Sequence, residues 1–273
     1  MRPLLTLVVA VVALAQDPRE IFRRSVEKDQ VNRALRQQYT FLEKSVQKEL
    51  DKNGQPKKTE SSVHDVSILY GHQFRRLIEK DGKPLNAKDQ QKEKERLDKF
   101  TVKWTHETSE ERKKRLANRE KNREKQTAFL REIPDAYDLR LLGEEKVDGK
   151  DAWVIQGEPH PGYRPKLDGA KYFAKMHGKI WIDKADYQWV KVDAETIDTI
   201  SFGLILFRLY KGSRLQFEQA RVNDEIWLPR LQHIQAAGRM GIFVKASLDA
   251  VTTFENYRKF QSDSKIVSIG EEK

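Results

Sequence analysis

The residues able to do chemistry in this chain are few and scattered. Six histidines stand at His64, His72, His106, His160, His177 and His233. No two have the spacing of helical metal ligands, and none has a neighbouring carboxylate in a metal motif. His64 and His72 flank one expected strand and approach each other only in one particular register. There is no Gly-x-Ser-x-Gly, and Lys211-Gly212-Ser213-Arg214 reads as a β-turn ahead of a strand. Glu144 and Glu145 are adjacent on an expected strand, so they face opposite ways and form no acid–base dyad. The chain has no cysteine, which removes thiol catalysis and disulfides together. Gly-rich phosphate loops are missing as well. The proline-punctuated run Gly157-Glu158-Pro159-His160-Pro161-Gly162-Tyr163-Arg164-Pro165 reads as a rim loop placed to touch the mouth of a cavity. The expectation is a protein that is not an enzyme and needs neither a metal nor an organic cofactor.

The amino terminus carries more information. Met1-Arg2-Pro3 supplies a positive charge, Leu4 to Leu14 is apolar apart from Thr6, and Ala13-Leu14-Ala15 offers small residues before Gln16-Asp17. A basic tip, a short apolar stretch and a small-x-small end make a secretory signal peptide over 1–15. The apolar run is about half of the ~20 residues that span a bilayer. Export to the periplasm of a Gram-negative cell is expected, with residues 16–273 as one domain stabilised by packing alone. The chain carries 52 Lys+Arg against 42 Asp+Glu. That surplus is compatible with peripheral contact to anionic lipid or an acidic partner; nucleic acid is not an expected partner outside the cytoplasm.

Three textures follow along the chain. Asp17 as cap, Pro18 and Glu20 in the first turn, and Ile21, Phe22, Val26, Val31 and Leu35 on roughly one face predict a helix. Strands are predicted at 39–46, 63–70 and 73–79, with Asn53-Gly54 as a hairpin turn. Residues 86–132 hold 15 Lys+Arg and 10 Asp+Glu. They predict two charged helices near 87–103 and 109–131, the second opened by the capping box Thr108-Ser109-Glu110-Glu111. From 136 to 260 short runs between turns predict a meandering antiparallel sheet, with 200–210 readable as a buried strand or a short helix.

One hairpin specifies the faces of that sheet. With an odd turn between Asp183 and Trp189, Ile180 and Ile182 share a face with Val190 and Val192. Trp181 and Trp189 then share the other. Both faces are apolar, so each needs a cover. The aliphatic set Ile180, Ile182, Val190 and Val192 is the expected wall of a hydrophobic cavity. Trp153, Trp181, Trp189 and Trp227 are expected in the core.

The run from Leu141-Leu142-Gly143 through Asp148-Gly149-Lys150 to Trp153-Val154-Ile155 is followed by Lys179-Ile180-Trp181-Ile182-Asp183, Lys211-Gly212-Ser213 and Glu225-Ile226-Trp227-Leu228-Pro229. In this order and spacing they resemble the LolA/LolB superfamily of outer-membrane lipoprotein-sorting proteins. The segment from Arg75-Arg76-Leu77 to Lys83-Pro84-Leu85 is similar to the matching hairpin of a divergent exported branch. The resemblance implies an α+β fold, a strongly curved antiparallel β-sheet forming a half-barrel with helices over its open side and a charged helical insertion at about 86–132. It also implies that the space between sheet and helices holds a lipid or an acylated lipoprotein. The rival expectation is an envelope interaction or stress-sensing module whose half-barrel is filled by its own side chains and whose basic helices at 86–132 dock a protein partner.

Overall fold

A computed structural model describes residues 16–202, 207–240 and 244–260. The expected signal peptide at 1–15 and part of the 200–210 segment lie outside the described residues. Helix α1 (Pro18–Arg36) starts as its sequence dictates: the Asp17 side chain accepts from the Arg19 amide at 2.9 Å, and Arg33 and Arg36 occupy the last turn. Strands β1 (Tyr39–Leu50), β2 (Pro56–Leu69), β3 (His72–Lys80) and the short β4 (Lys83–Pro84) follow as hairpins. The β2–β3 turn, Tyr70-Gly71, and the β3–β4 turn, Asp81-Gly82, have both residues at positive φ. That is the two-residue geometry matching strand twist.

Helices α2 (Ala87–Thr105), α3 (Ser109–Arg131) and the single turn α4 (Ile133–Ala136) come next. The capping box at Thr108 and Glu111 is present in both directions. The remaining strands are β5 (Tyr137–Val147), β6 (Lys150–Pro159), β7 (Met176–Asp183), β8 (Trp189–Thr196), β9 (Ile200–Phe202), β10 (Phe207–Leu209), β11 (Arg214–Val222), β12 (Ile226–Met240) and β13 (Val244–Lys259). A 3-10 helix at Asp168–Lys175 precedes β7.

All pairings are antiparallel, and the main order is β4-β3-β2-β1-β13-β12-β11-β8-β7-β6-β5. β9 and β10 form a side branch on β12. The sheet is open, with β4 and β5 as its two edges. The chain therefore begins mid-sheet at β1, walks out to β4, crosses on α2, α3 and α4 to the opposite edge, and returns to β13 beside β1. The charged segment 86–132 is this crossover. It joins edges ten strand spacings apart, a distance of about 48 Å along a flat sheet.

Three register shifts, at Leu141/Gly143, Trp181/Ile182 and Glu218/Gln219, fall in the β5–β6, β7–β8 and β11–β12 pairs. Bulges bend and twist a strand; these three lie in the half of the sheet that packs on α1, and further shifts fall in the β1–β13, β1–β2 and β2–β3 pairs. Ile21, Phe22 and Val26 of α1 pack on Trp153, Ile155 and Ile182. Burying each such side chain contributes about 1.5–3 kcal/mol. Val31, expected on this face, is 65% exposed, because the buried stripe continues through Ser25, Asp29 and Asn32 instead.

The outer face has its own cluster of Ala152, Val154, Trp181, Val190 and Trp227. Its tryptophans are tied at the rim, Trp181 Nε1 donating to Glu145 and Trp227 Nε1 to Asp186, each at 2.8 Å. Lys191 lies 5.2 Å above the Trp181 ring. Long cationic side chains thus cover the second apolar face.

Strands β7 and β8 leave no room for a side chain at Gly178, where a Cβ would lie 2.6 Å from the Asp193 carbonyl oxygen. Gly178→Ala is expected to force the strands apart and destabilise the fold by about 1–3 kcal/mol. Urea unfolding measures this; an unchanged midpoint would show that the contact relaxes freely.

Candidate functional site

A cavity of about 640 Å³ lies between the concave face and the helices, a size within the range of small-ligand sites. Its floor is contributed by consecutive strands of the sheet: Leu139 (β5), Ile155 (β6), Ile180 (β7), Val192 (β8), Phe217 (β11), Pro229 (β12) and Phe254 (β13). Phe22 and Val26 of α1 cover it on one side, and Phe129 and Leu130 of α3 with Ile133 of α4 cover it on another. The crossover geometry is what brings α3 here. Although α3 is charged along most of its length, its last turn carries Phe129 and Leu130 to the sheet. Phe173 closes one end, its ring 4.5 Å from that of Phe129.

The four expected wall residues divide. Ile180 and Val192 are paired across β7 and β8 and both line the cavity. Ile182 lies on the same side, 0% exposed, packed beneath α1. Val190 is on the opposite face, 1% exposed beside Trp181. The expected alternation fails at the bulge. Trp181 pairs with Lys191 and Ile182 with Trp189, which leaves Val190 as the extra residue. Trp189 is therefore turned inward to the cavity, not outward beside Trp181.

A polar group on α1 holds Trp189 there. Asp29, 1% exposed, accepts from Trp189 Nε1 at 3.0 Å, Gln188 Nε2 at 3.1 Å, Arg33 Nε at 2.5 Å and, more distantly, an Arg36 Nη at 3.4 Å. Arg36 also donates to Gln219 Oε1 at 2.6 Å, and its guanidinium carbon lies 6.0 Å from the Trp189 ring centre. Burial pulls the Arg36 guanidinium below its ordinary value; Asp29 opposes the shift, and Arg33 adds to it. An arginine remains cationic through such a shift. Asp29, Arg33 and Arg36 recur at helical spacing and all line the cavity. The Asp29-x3-Arg33-x2-Arg36 pattern was present in the sequence, but its signal is the same as that of an exposed ion-paired helix face.

The scattered chemical candidates stay apart. Among the described residues no group of three or more histidine, aspartate or glutamate side chains is placed to hold a metal ion. His64 pairs opposite Leu77 and His72 opposite Leu69, so the register separates the two histidines. Glu145 meets Trp181 while Glu144 meets Lys184, on opposite faces. Ser213 Oγ donates to the Tyr210 carbonyl within a turn. Of the run 157–165, Gly157 alone lines the cavity, and it still belongs to β6. Tyr163 instead donates to the buried Glu132 at the end of α3, which directs the loop away from the mouth.

A second, polar depression lies where α2 and α3 meet the β2–β3 turn, lined by Tyr70, Trp104, Arg112, Arg115, Leu116 and Arg119 among others. His72 stacks on Trp104 with ring centres 3.5 Å apart. Burial lowers the His72 pKa, with Arg115 and Arg119 acting in the same direction. A histidine depressed in the folded state titrates first in the unfolded one. Stability at this joint is therefore full above about pH 6.5 and is lost as pH falls through the folded value. Amide protection factors in β3 and α2, taken relative to the intrinsic exchange rate at each pH, should fall on acidification from pH 7 to 5 in the native protein and much less in His72→Gln. An equal fall in both would exclude His72 as the cause.

No family model matches the chain, and no curated protein matches it in sequence. Among solved structures the chain is similar to a DUF1329 family protein from Desulfovibrio piger, at 14% identity over 91% of this chain and 96% of that one, with a TM-score of 0.30. It is similar to a LolA superfamily protein from Nitrosomonas europaea, at 10% identity over 91% and 95%, TM-score 0.30. An outer membrane lipoprotein-sorting protein domain from Vibrio parahaemolyticus aligns at 13% identity over 90% and 95%, TM-score 0.29. Likeness of this degree carries no argument about function, which rests on the geometry of the chain itself.

Proposed function

We propose that this protein is a periplasmic, non-enzymatic binding protein that carries a hydrophobic ligand, a lipid or an acylated lipoprotein, between its curved sheet and its helical cover. The observation that carries the reading is the 640 Å³ space walled by apolar side chains from both layers. A self-filled half-barrel would leave no such space. Each methylene withdrawn from water contributes about 0.8 kcal/mol, so an acyl chain binds here without any charged contact. Among the described residues no helix is long and apolar enough to cross a membrane. The leader expected over 1–15 supplies the route to the periplasm.

Purification of the chain from a Gram-negative host, followed by mass spectrometry of organic extracts, tests the proposal. Near-stoichiometric acyl chains or phospholipid are expected. A reproducibly empty protein that also fails to take up added lipid would contradict it.

A specific observation favours one further role for the same molecule. The exposed Leu116 and the half-buried Trp104 sit among Arg112, Arg115 and Arg119 on the α2–α3 face. Of these arginines, Arg115 is neutralised by Glu107 through two hydrogen bonds of 2.5 and 2.8 Å. An acidic envelope partner fits this surface, and its contact with α3 would bear on the cover of the cavity.

A further inference from the structure

Two arginines and one carboxylate line the apolar cavity from α1, an excess of one positive charge on that helix face. Asp29 takes its close hydrogen bonds from Arg33, Gln188 and Trp189, and Arg36 reaches it only at 3.4 Å. Gln188, Trp189 and Arg36 all share Oδ1 while Arg33 holds Oδ2, so Arg36 competes for an oxygen that two closer donors already occupy. One carboxylate balances only one of the two arginines, and Arg36, at 3.4 Å against 2.5 Å for Arg33, is the less compensated of them. Its Nε is buried and has no hydrogen-bond partner. Its orientation is nevertheless fixed: Gln219 Oε1 accepts from it at 2.6 Å, and Gln219 Nε2 is itself anchored on the Trp189 carbonyl at 2.9 Å. An oriented, unsatisfied guanidinium beside an apolar wall is a fork for two oxygens of one anion. The low polarity of its surroundings strengthens that attraction.

We infer that the cavity takes an amphiphile with one anionic head, a carboxylate or a phosphate ester, held by Arg36 while its tail lies along Ile180 and Val192. The inference rests on the carrier reading above and narrows it. Free anionic lipids present such a head; the esterified chains of an acylated lipoprotein present none. Arg33, whose Nη1 also donates to Gln126 of α3 at 3.2 Å, links the head site to the helical cover.

Calorimetric titration of the chain with hexadecanoate, hexadecyl phosphate and hexadecanol, each below its aggregation threshold, decides the matter. The native protein should bind at least one anion about tenfold more tightly than the alcohol, as expected for a charge-assisted hydrogen bond. Whichever anion binds more tightly identifies the head as carboxylate or phosphate. Arg36→Gln should lose about tenfold for that anion while hexadecanol stays within about twofold, and Arg36→Lys should recover part of the loss. Native protein that binds the alcohol as tightly as both anions overturns the inference and leaves the carrier reading intact. Failure to bind any of the three overturns both. A variant that weakens all three alike marks Arg36 as merely structural and also overturns it. Should Arg36→Gln not fold, the ranking of the three ligands on native protein still decides.

Discussion

Ile182→Asp should not yield a folded protein, whereas Ile180→Asp should fold and fail to bind acyl chains. The two side chains are neighbours on the same face of one strand, yet they meet different surroundings. Ile182 is 0% exposed and enclosed by α1 and Trp153. Replacing it loses the packing of a core isoleucine, about 2–5 kcal/mol, and adds the desolvation of an unpaired carboxylate. The sum is comparable with the whole stability of a domain, about 5–15 kcal/mol. Ile180 faces the cavity, where water reaches a new carboxylate, so the cost to folding is nearer about 1–3 kcal/mol. Circular dichroism with a fluorescent fatty acid separates the two. A folded Ile182→Asp protein that has lost only lipid binding would mean that Ile182 is wall and not core.

Asp29→Ala is expected to be the most damaging polar substitution. It removes the acceptor shared by Arg33, Arg36, Gln188 and Trp189. Breaking a buried pair by removing one partner typically costs about 3–5 kcal/mol, because the remaining charge stays uncompensated. For a chain of this size that corresponds to a fall in Tm on the order of 10 °C. Trp189 should also lose its inward tether, so its emission should shift to the red. Asp29→Asn keeps acceptor capacity for Trp189 and should recover much of the packing. A loss below about 1 kcal/mol for Asp29→Ala would show that the four donors find other partners.

The local rules written in the sequence act where residues speak to near neighbours. Asp17-Pro18 starts α1, Thr108 and Glu111 cap α3, and Tyr70-Gly71, Asp81-Gly82 and Asp148-Gly149 take positive φ at their turns. The strands of both halves follow from β-branched and aromatic runs between such turns. The 200–210 segment, ambiguous by period, places short strands at Ile200–Phe202 and Phe207–Leu209. What local pattern does not specify is long-range. A single extra residue at Val190 moves Trp189 to the inner face, and nothing near it in sequence announces the bulge. The acceptor that Trp189 meets on the inner face, Asp29, lies 160 positions away. Likewise, 86–132 reads as a solvated charged insertion. Its role as the connection between the two sheet edges appears only once β1 is seen to pair with β13. Of the cavity wall, Ile180 and Val192 were legible from alternation, and the Arg33–Arg36 side was not, because burial of a charged helix face depends on what it meets.

Blocking the space between sheet and helices without unfolding the protein shows whether that space is a binding site. Val192→Trp places a large ring over Ile180 inside the cavity, on a strand position whose backbone pairing is unchanged. Titration with a fluorescent fatty acid should saturate stoichiometrically for the native chain and show no saturable binding for Val192→Trp, with both proteins melting cooperatively at similar temperatures. Saturable binding of equal affinity in the blocked variant, or none in the native chain, would contradict the account.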